Sequence, residues 1–299
     1  MKTFELAGGT VTGRDHLQPL KWGNGQDAYC LIDGLDKGVA IAVVADGCGS
    51  GERSEVGAQI AARFVAYALW EYVPRYLAVA EAAGDKGARF LYWEDVRQDL
   101  LAYLRILAEK LGPNLKEAVK DHFLFTLIGF LVTPYDSFVF LVGDGVYAVN
   151  GAVARVGPFA NNEPPYVGYG LLRPDQYGIA PEECRFKVPV ALPTREVDSI
   201  LVGSDGVGDL IAAAGKHFPS LNTKNGPVKL GPLSQFWEDG RYFDTTDAIR
   251  RTLALANNAT AEPDWDEGRI NRRPGLLPDD TTLAVIRRRQ PPRLEGTAS

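Results

Sequence analysis

Three apolar segments of this sequence end in the same dipeptide, Asp-Gly, and this recurrence constrains the fold more than any other feature. The segments are IAVVADG at 41–47, FVFLVGDG at 138–145 and SILVGSDG at 199–206. Short apolar runs of this kind are typical of buried β-strands. A fourth acidic pair, Asp279-Asp280, directly precedes a last apolar run at 281–288. The sequence therefore predicts strands that present carboxylates at their ends.

The residues after each dipeptide distinguish a simple turn from a functional site. After Asp144-Gly145 the chain resumes as a strand, so a plain hairpin explains that aspartate as well as a site does. After Asp46-Gly47 and Asp205-Gly206 the chain is predicted to turn into helices instead. A hairpin does not account for these two aspartates, and we interpret them as functional.

The remaining pattern predicts a layered α+β fold with largely antiparallel sheets. Predicted strands come in consecutive runs rather than alternating with helices, which argues against a Rossmann-like arrangement. Residues Val56, Ile60, Phe64, Ala68 and Tyr72 recur at spacing four and predict a helix face turned to a core. Further predicted elements are helices at 93–111 and 245–257, strands at 123–133, 137–143, 146–150, 152–156, 185–191 and 199–203, and loops over the rest of 158–195 and at 215–243.

Composition excludes several classes of protein. A formal charge of −6 over 299 residues argues against electrostatic binding of nucleic acid. The three cysteines, Cys30, Cys48 and Cys184, lack CxxC spacing, which predicts core residues in a reducing, cytoplasmic compartment rather than a zinc site. The N-terminus does not resemble a signal peptide, and the longest uncharged run, 122–135, is too short to span a bilayer. We expect one domain over 1–289, a flexible tail over 290–299 and no membrane partner.

Converging carboxylates require compensation. At about 4 Å, two like charges repel by about 1 kcal/mol in water and about 4 kcal/mol near a protein surface. A bound cation or raised pKa values must relieve this repulsion. Oxygen ligands without histidine or thiolate favour Mg²⁺ or Mn²⁺ over zinc or copper.

Six segments, in order along almost the whole chain, resemble the motifs of the metal-dependent serine/threonine protein phosphatases of type 2C, particularly a compact bacterial branch. The resemblance implies the family's fold, an α+β fold of two packed antiparallel β-sheets flanked by α-helices on both outer faces, which agrees with the strand-rich prediction. The resembling segments are NGQDAY at 24–29, VADGCGSGERSEVGA at 44–58, FTLIGFLV at 125–132, LVGDGVYAV at 141–149, LVGSDGVGDLI at 201–211 and DDTTLAVI at 279–286.

The resemblance implies a site for two Mg²⁺ or Mn²⁺ ions with a bridging water that attacks phosphorus. Asp46 would bridge the ions, and the Gly47 carbonyl would complete one of them, with Asp27 in contact with that ion or just behind its ligands. Asp205 and Asp279 would hold the other ion. Asp144 matches a position that holds a loosely bound third ion in some members, and Asp280 matches a non-ligand position.

Two positions depart from the family pattern. Gln26 stands where an acidic residue is common, although the bacterial branch often has Gln-Asp there. Trp22 stands where the family has its phosphate-binding arginine. Lys21, Arg14 or His16 could take that role, or each could be an ordinary structural or surface residue.

The leading hypothesis is a phosphoprotein phosphatase, a hydrolase that acts in signalling on phosphoserine and phosphothreonine made by a serine/threonine kinase. The absence of a cysteine phosphatase motif fits attack by water. Because of the two departures, a catalytically weak or inactive module that binds a phosphoprotein or regulatory partner stays open. So does a metal-dependent phosphoesterase acting on a small molecule.

Overall fold

A computed structural model describes residues 3–17, 25–83, 90–223 and 226–289. The predicted tail at 290–299 lies outside these residues. The strands are β1 (Phe4–Val11), β2 (Ala28–Gly34), β3 (Val39–Gly47), β4 (Phe125–Val132), β5 (Asp136–Val142), β6 (Gly145–Val149), β7 (Ala152–Val156), β8 (Lys187–Pro193), β9 (Ser199–Gly203), β10 (His217–Thr223), β11 (Gly226–Lys229), β12 (Thr260–Asp264), β13 (Arg269–Arg273) and β14 (Thr281–Arg288). The helices are α1 (Ser54–Ala83), α2 (Trp93–Leu111), α3 (Leu115–His122), α4 (Val207–Ala212), α5 (Gln235–Glu238), α6 (Arg241–Asp244) and α7 (Ala248–Asn257).

Ten of the described strands form two five-stranded sheets. The first sheet has the order β1-β14-β9-β6-β7 and the second has the order β2-β3-β4-β5-β8. Every neighbouring pair in both sheets is antiparallel. The predicted α+β class with two antiparallel sheets is therefore confirmed.

Side-chain alternation along β3 explains the layering. Ala42 and Val44 pack against the first sheet, in a core that includes Val202. Ile41 and Val43 point to the opposite face and join a core built with α1 and α2. Successive strand residues face opposite sides, so an uninterrupted apolar run requires apolar partners on both faces. A third core packs α4 and α7 on the outer face of the first sheet, which completes four layers.

The buried face of α1 lies one residue away from the predicted stripe. The predicted residues Val56, Ile60, Phe64, Ala68 and Tyr72 are only half-buried. The inner face is instead rich in alanine, and small side chains bring the helix close to the sheet. Its fully buried members include Ala58, Ala61, Ala62, Val65, Ala66 and Leu69. The predicted stripe contacts the edge of this core, where α1 meets α2.

In the C-terminal half, one further prediction was wrong and one element was not predicted. The segment 215–243, predicted as a loop, contains the β10–β11 hairpin and the short helices α5 and α6. The polar segment before residue 275 forms the β12–β13 hairpin, whose residues are almost all exposed. A two-stranded ribbon without a buried face has no apolar alternation to reveal it. Among the described residues, no helix has the length and apolar character needed to cross a membrane.

Candidate functional site

Four of the predicted aspartates line one cavity at an end of the sandwich. The cavity has a volume of about 130 Å³ and is bordered by Asp46, Asp144, Asp205 and Asp279, with Gly47 beside Asp46. These residues come from both sheets. Residues separated by more than 200 positions in the chain are thus brought to a single polar pocket.

Strand register explains the convergence. In an antiparallel sheet, the end of one strand lies beside the start of its neighbour, and Asp46 near the end of β3 pairs with Thr126 near the start of β4. Gly145, at φ 139°, begins β6, and a Cβ there would lie 2.8 Å from the Gly203 carbonyl oxygen at the end of β9. This close approach places Asp144 beside the turn that carries Asp205.

A second close approach connects Asp205 to the start of β14. A Cβ on Gly206 would lie 2.0 Å from the carbonyl oxygen of Asp280, a separation that backbone atoms do not allow. The backbone of Gly206 has ordinary helical dihedral angles, which any residue can adopt. Glycine is required here because there is no room for a side chain. The Asp205 turn can therefore rest directly on the Asp279-Asp280 pair.

Asp27 lies behind the cavity rather than on its wall. It directly precedes β2 and is buried, and the Ser204 hydroxyl donates a 2.7 Å hydrogen bond to its Oδ2. Its other oxygen, Oδ1, is buried without a hydrogen-bond partner among the described residues. A buried carboxylate oxygen left in this way is costly unless it is protonated or bound by a cation.

The carboxyl groups of the site are all poorly solvated or close to one another. Burial and the Asp280 charge raise the pKa of Asp27 to about 8. Burial, then the neighbouring Asp27 and Asp205, raises the pKa of Asp46 well above its ordinary value. Burial and the Asp205 charge raise the pKa of Asp144 to about 6, and the same two causes raise the pKa of Asp279. Carboxyl groups with raised pKa values hold protons near neutral pH, and a bound cation would displace those protons.

Asp280 stabilises the site through hydrogen bonds but does not border the cavity. One oxygen accepts a 2.7 Å hydrogen bond from the Gly13 backbone N–H, and the other accepts a 2.5 Å hydrogen bond from the Gln26 backbone N–H. His16 Nδ1 lies 3.0 Å from Asp280 Oδ1, while His16 Nε2 lies 3.6 Å from Asp279 Oδ1. His16 borders the cavity, and its buried Nδ1 has no hydrogen-bond partner among the described residues.

Gln26 has a structural role that a carboxylate does not reproduce. Its Nε2 donates hydrogen bonds to the Ser54 hydroxyl at 3.0 Å and to the Cys48 carbonyl at 3.4 Å. Its own backbone carbonyl accepts from the Gly47 N–H at 3.2 Å. The departure from an acidic residue at this position therefore provides donors that fix the turn after Asp46.

The donor set fits a hard divalent cation in its chemistry, although it is not arranged as a finished binding site. The candidate ligands are carboxylate and carbonyl oxygens, and the unpartnered Oδ1 of Asp27 is available to a cation or to a water bound to one. Across residues 3–17, 25–83, 90–223 and 226–289, no three acidic, histidine or cysteine side chains are positioned together as metal ligands. Burial and the neighbouring carboxylates, Asp27 and Asp205 among them, raise the pKa of Asp46 and favour its protonated form until a cation binds.

Of the two predicted phosphate-binding residues, Arg14 lies among the described residues. Lys21, like Trp22, lies outside the described residues. Arg14 donates to the Gly275 carbonyl at 2.8 Å and to Asp15 at 3.2 Å, and it does not border the cavity. Of the two described basic candidates, Arg14 and His16, His16 is the one that borders the cavity.

Sequence reasoning missed several residues of the site. Cys48 was predicted to be a core residue, but it is half-buried and borders the cavity. Asn162 and Tyr166 also border it, and both come from the segment 158–195 predicted to be mostly loop. Ser204 directly precedes Asp205, which places it beside the site, but nothing in the sequence indicates its contact with Asp27.

Comparisons with known proteins agree with this architecture. The family model described as protein phosphatase 2C matches residues 13–228, more than two thirds of the chain. A variant of a bacterial serine phosphatase superposes with a TM-score of 0.52 at 14% sequence identity, covering 97% of this chain and 100% of that one. No curated protein sequence matches the chain.

Two further solved structures have weaker superpositions. The S. agalactiae serine/threonine phosphatase gives a TM-score of 0.48 at 15% identity, covering 96% of this chain and 100% of that one. A serine/threonine phosphatase from Staphylococcus aureus gives 0.47 at 14% identity, covering 96% of each chain. At such identities, structural likeness describes the fold alone.

Proposed function

Because this chain belongs to the protein phosphatase 2C family, we propose that it is a metal-dependent protein serine/threonine phosphatase. Its substrates would be phosphoserine and phosphothreonine residues that a serine/threonine kinase has modified. The domain that performs this reaction would span residues 1–289. The cofactors would be two Mg²⁺ or Mn²⁺ ions, with Asp144 available to a third.

One observation carries the proposal: Asp46, Asp144, Asp205 and Asp279 border one small cavity, with Asp27 buried behind it. A fold has no structural need to gather mutually repelling carboxylates there. Their combined negative charge would also repel a phosphate ester. The arrangement becomes useful when divalent cations neutralise the carboxylates and attract the phosphate.

The ligands of the cations would come from both sheets. Asp46 would contact both ions, with the Gly47 carbonyl and Asp27 on one side and Asp205 and Asp279 on the other. When bound, the ions supply Lewis acidity and lower the pKa of water, which provides the nucleophile for phosphate ester hydrolysis.

The surrounding residues would orient this ligand set. Ser204 holds one Asp27 oxygen by donating its hydroxyl proton, and Gln26 fixes the turn that carries Gly47. Asp280 holds the backbone of residues 13 and 26 against the start of β14. Rigid ligand orientation of this kind is what the hydrogen-bonding partners of the ligands contribute to metal sites.

The test is hydrolysis of p-nitrophenyl phosphate and of a phosphoserine peptide by the full chain with Mn²⁺. We expect turnover that EDTA abolishes and that excess Mn²⁺ restores. Asp46→Ala should abolish it, while Asp36→Ala, at an exposed position in the turn before β3, should not. Undiminished activity in EDTA would contradict the proposal. A preference for nucleotides over phosphopeptides would instead indicate a small-molecule phosphoesterase.

A second candidate function is a non-catalytic module with the same fold that binds a phosphoprotein or a regulatory partner. The position of Arg14, bonded to Gly275 and Asp15 rather than lining the cavity, favours it. Stoichiometric Mn²⁺ binding without turnover of any phosphopeptide would support this module.

A further inference from the structure

The outer surface of α1 carries an exposed ridge with an unusual order of side chains. Every fourth residue faces solvent, and the five positions form one row because i and i+4 are neighbours on a helix. This α1 ridge consists of Gln59, Arg63, Tyr67, Glu71 and Arg75.

The α1 ridge borders two adjoining cavities, one of about 640 Å³ between α1 and α2 and one of about 660 Å³ between α1, β2 and Tyr103 of α2. Both are bordered by Phe64 and Tyr103, whose stacked rings have centroids 5.3 Å apart, and by Tyr67. Tyr67 and Ile106 are each 57% exposed, and Tyr103 is 42% exposed. A grouping of large exposed apolar side chains around grooves is typical of an interaction surface.

The order of charges on the α1 ridge is complementary to the same ridge of a second copy that runs in the opposite direction. Arg63 and Glu71 each lie four residues from Tyr67, which is about 6 Å along the helix axis. A two-fold axis through Tyr67 would pair Tyr67 with its symmetry mate and place each Arg63 opposite the partner's Glu71. The same axis would place Gln59 opposite the partner's Arg75. Self-complementarity of this kind is the requirement for an isologous two-fold interface.

The two central charges are available for such pairing. Among the described residues, neither Arg63 nor Glu71 forms an ion pair within its own chain. Both are exposed. Arg75 is partly engaged, since its guanidinium lies 5.5 Å from the centroid of the Tyr72 ring. The pairing of Arg63 with Glu71 is therefore the strongest polar contact that the ridge offers to a partner.

We propose that the α1 ridge is the contact surface of a homodimer, in which α1 packs antiparallel to α1 of a second copy about a two-fold axis at Tyr67. The apolar rings supply the centre of the interface, and two symmetric Arg63–Glu71 pairs flank it. This inference does not depend on the proposed phosphatase function, because the ridge uses none of the residues of the acidic cavity.

Sedimentation equilibrium of the full chain, from about 1 to about 100 µM, tests the proposal. The wild-type chain should be dimeric in this range. Arg63→Glu or Glu71→Arg alone should weaken dimerisation at least about tenfold, because each replaces two attractions with two repulsions. The double variant R63E/E71R should restore the dissociation constant to within about threefold, since the pair is exchanged but retained.

Lys116→Glu, at an exposed position on α3, is the control for charge reversal and should leave the dimer unchanged. Tyr67→Ala should weaken it through loss of the central ring. A monomeric wild-type chain, a dimer insensitive to these substitutions, or a double variant no better than the single variants would overturn the proposal. If the wild-type chain is monomeric, the ridge would instead be a contact surface for a different protein.

Discussion

The Ser204 hydroxyl donates a 2.7 Å hydrogen bond to Oδ2 of Asp27, and this contact joins the two sheets inside the molecule. Ser204 follows β9 of the first sheet, whereas Asp27 precedes β2 of the second sheet. The bond lowers the pKa of Asp27 and thereby opposes burial, which raises it. It favours the ionised carboxylate that a cation needs.

Ser204→Ala should therefore weaken Mn²⁺ binding at neutral pH by roughly 10- to 100-fold, the usual range for losing a partner of a metal ligand. Isothermal titration calorimetry measures the change. Ser137→Ala is a matched control, because Ser137 is also buried and makes a 2.7 Å hydrogen bond, to Thr194, away from the cavity. Equal Mn²⁺ affinity in wild type and Ser204→Ala would contradict this role.

The stability of the metal-free protein should decrease as pH rises. The folded pKa values of Asp27 (about 8) and Asp144 (about 6) lie above the unfolded value near 4, so the folded state binds more protons in this interval. The free energy of unfolding must then fall from about pH 4 to about pH 8. Urea unfolding in EDTA at several pH values measures it.

Asp27→Asn removes the larger of these two pKa shifts and should flatten that pH dependence while abolishing tight Mn²⁺ binding. Asp36→Asn, at an exposed position, should reproduce the wild-type curve. A metal-free protein whose stability is constant across this range, or rises, would show that the carboxyl groups are not held in the protonated form.

Gly206→Ala should disrupt the acidic cavity. The added methyl group would lie 2.0 Å from the Asp280 carbonyl oxygen, so the Asp205 turn and the start of β14 must separate. We expect at least about tenfold weaker Mn²⁺ binding and a matching loss of any phosphatase activity. Gly112→Ala is the control, since a Cβ there meets nothing within 4 Å. Normal Mn²⁺ affinity in Gly206→Ala would contradict the tight packing of this turn.

Tyr76→Phe should destabilise the fold without changing the metal site. The buried Tyr76 hydroxyl donates a 2.6 Å hydrogen bond to Asp136 at the start of β5, joining α1 to the second sheet. Without this donor the partly buried Asp136 carboxylate has one hydrogen bond fewer, which should lower the free energy of unfolding by about 1–3 kcal/mol. Urea unfolding measures the loss. An unchanged free energy of unfolding would contradict this prediction.

The acidic cavity was predictable because its signal is local. Each aspartate lies within two residues of an end of an apolar strand, and two antiparallel sheets offer few ways to place such ends. Asp46, Asp144, Asp205 and Asp279 were identified in this way and lie together. Contacts that depend on register, such as Ser204 with Asp27, leave no pattern in the sequence, since the two residues are 177 positions apart.

Elements without a buried face were not predictable. The β12–β13 hairpin pairs Pro263 with Ile270 and Asp264 with Arg269, a mixture with no apolar period. On α1, bulky Phe64 and Tyr72 suggested the wrong inner face, because the closest packing against a sheet uses small residues such as Ala61. Tertiary packing, which the helix period alone does not encode, decides which row is buried.

Anomalous diffraction from a manganese-soaked crystal tests most directly whether the aspartates bind a pair of hard divalent cations. We predict two anomalous peaks in the cavity, both within about 2.0–2.6 Å of Asp46 oxygens. Asp205 and Asp279 should contact one of the peaks. Absence of any peak there, with these three carboxylates facing solvent separately, would contradict the proposed metal centre.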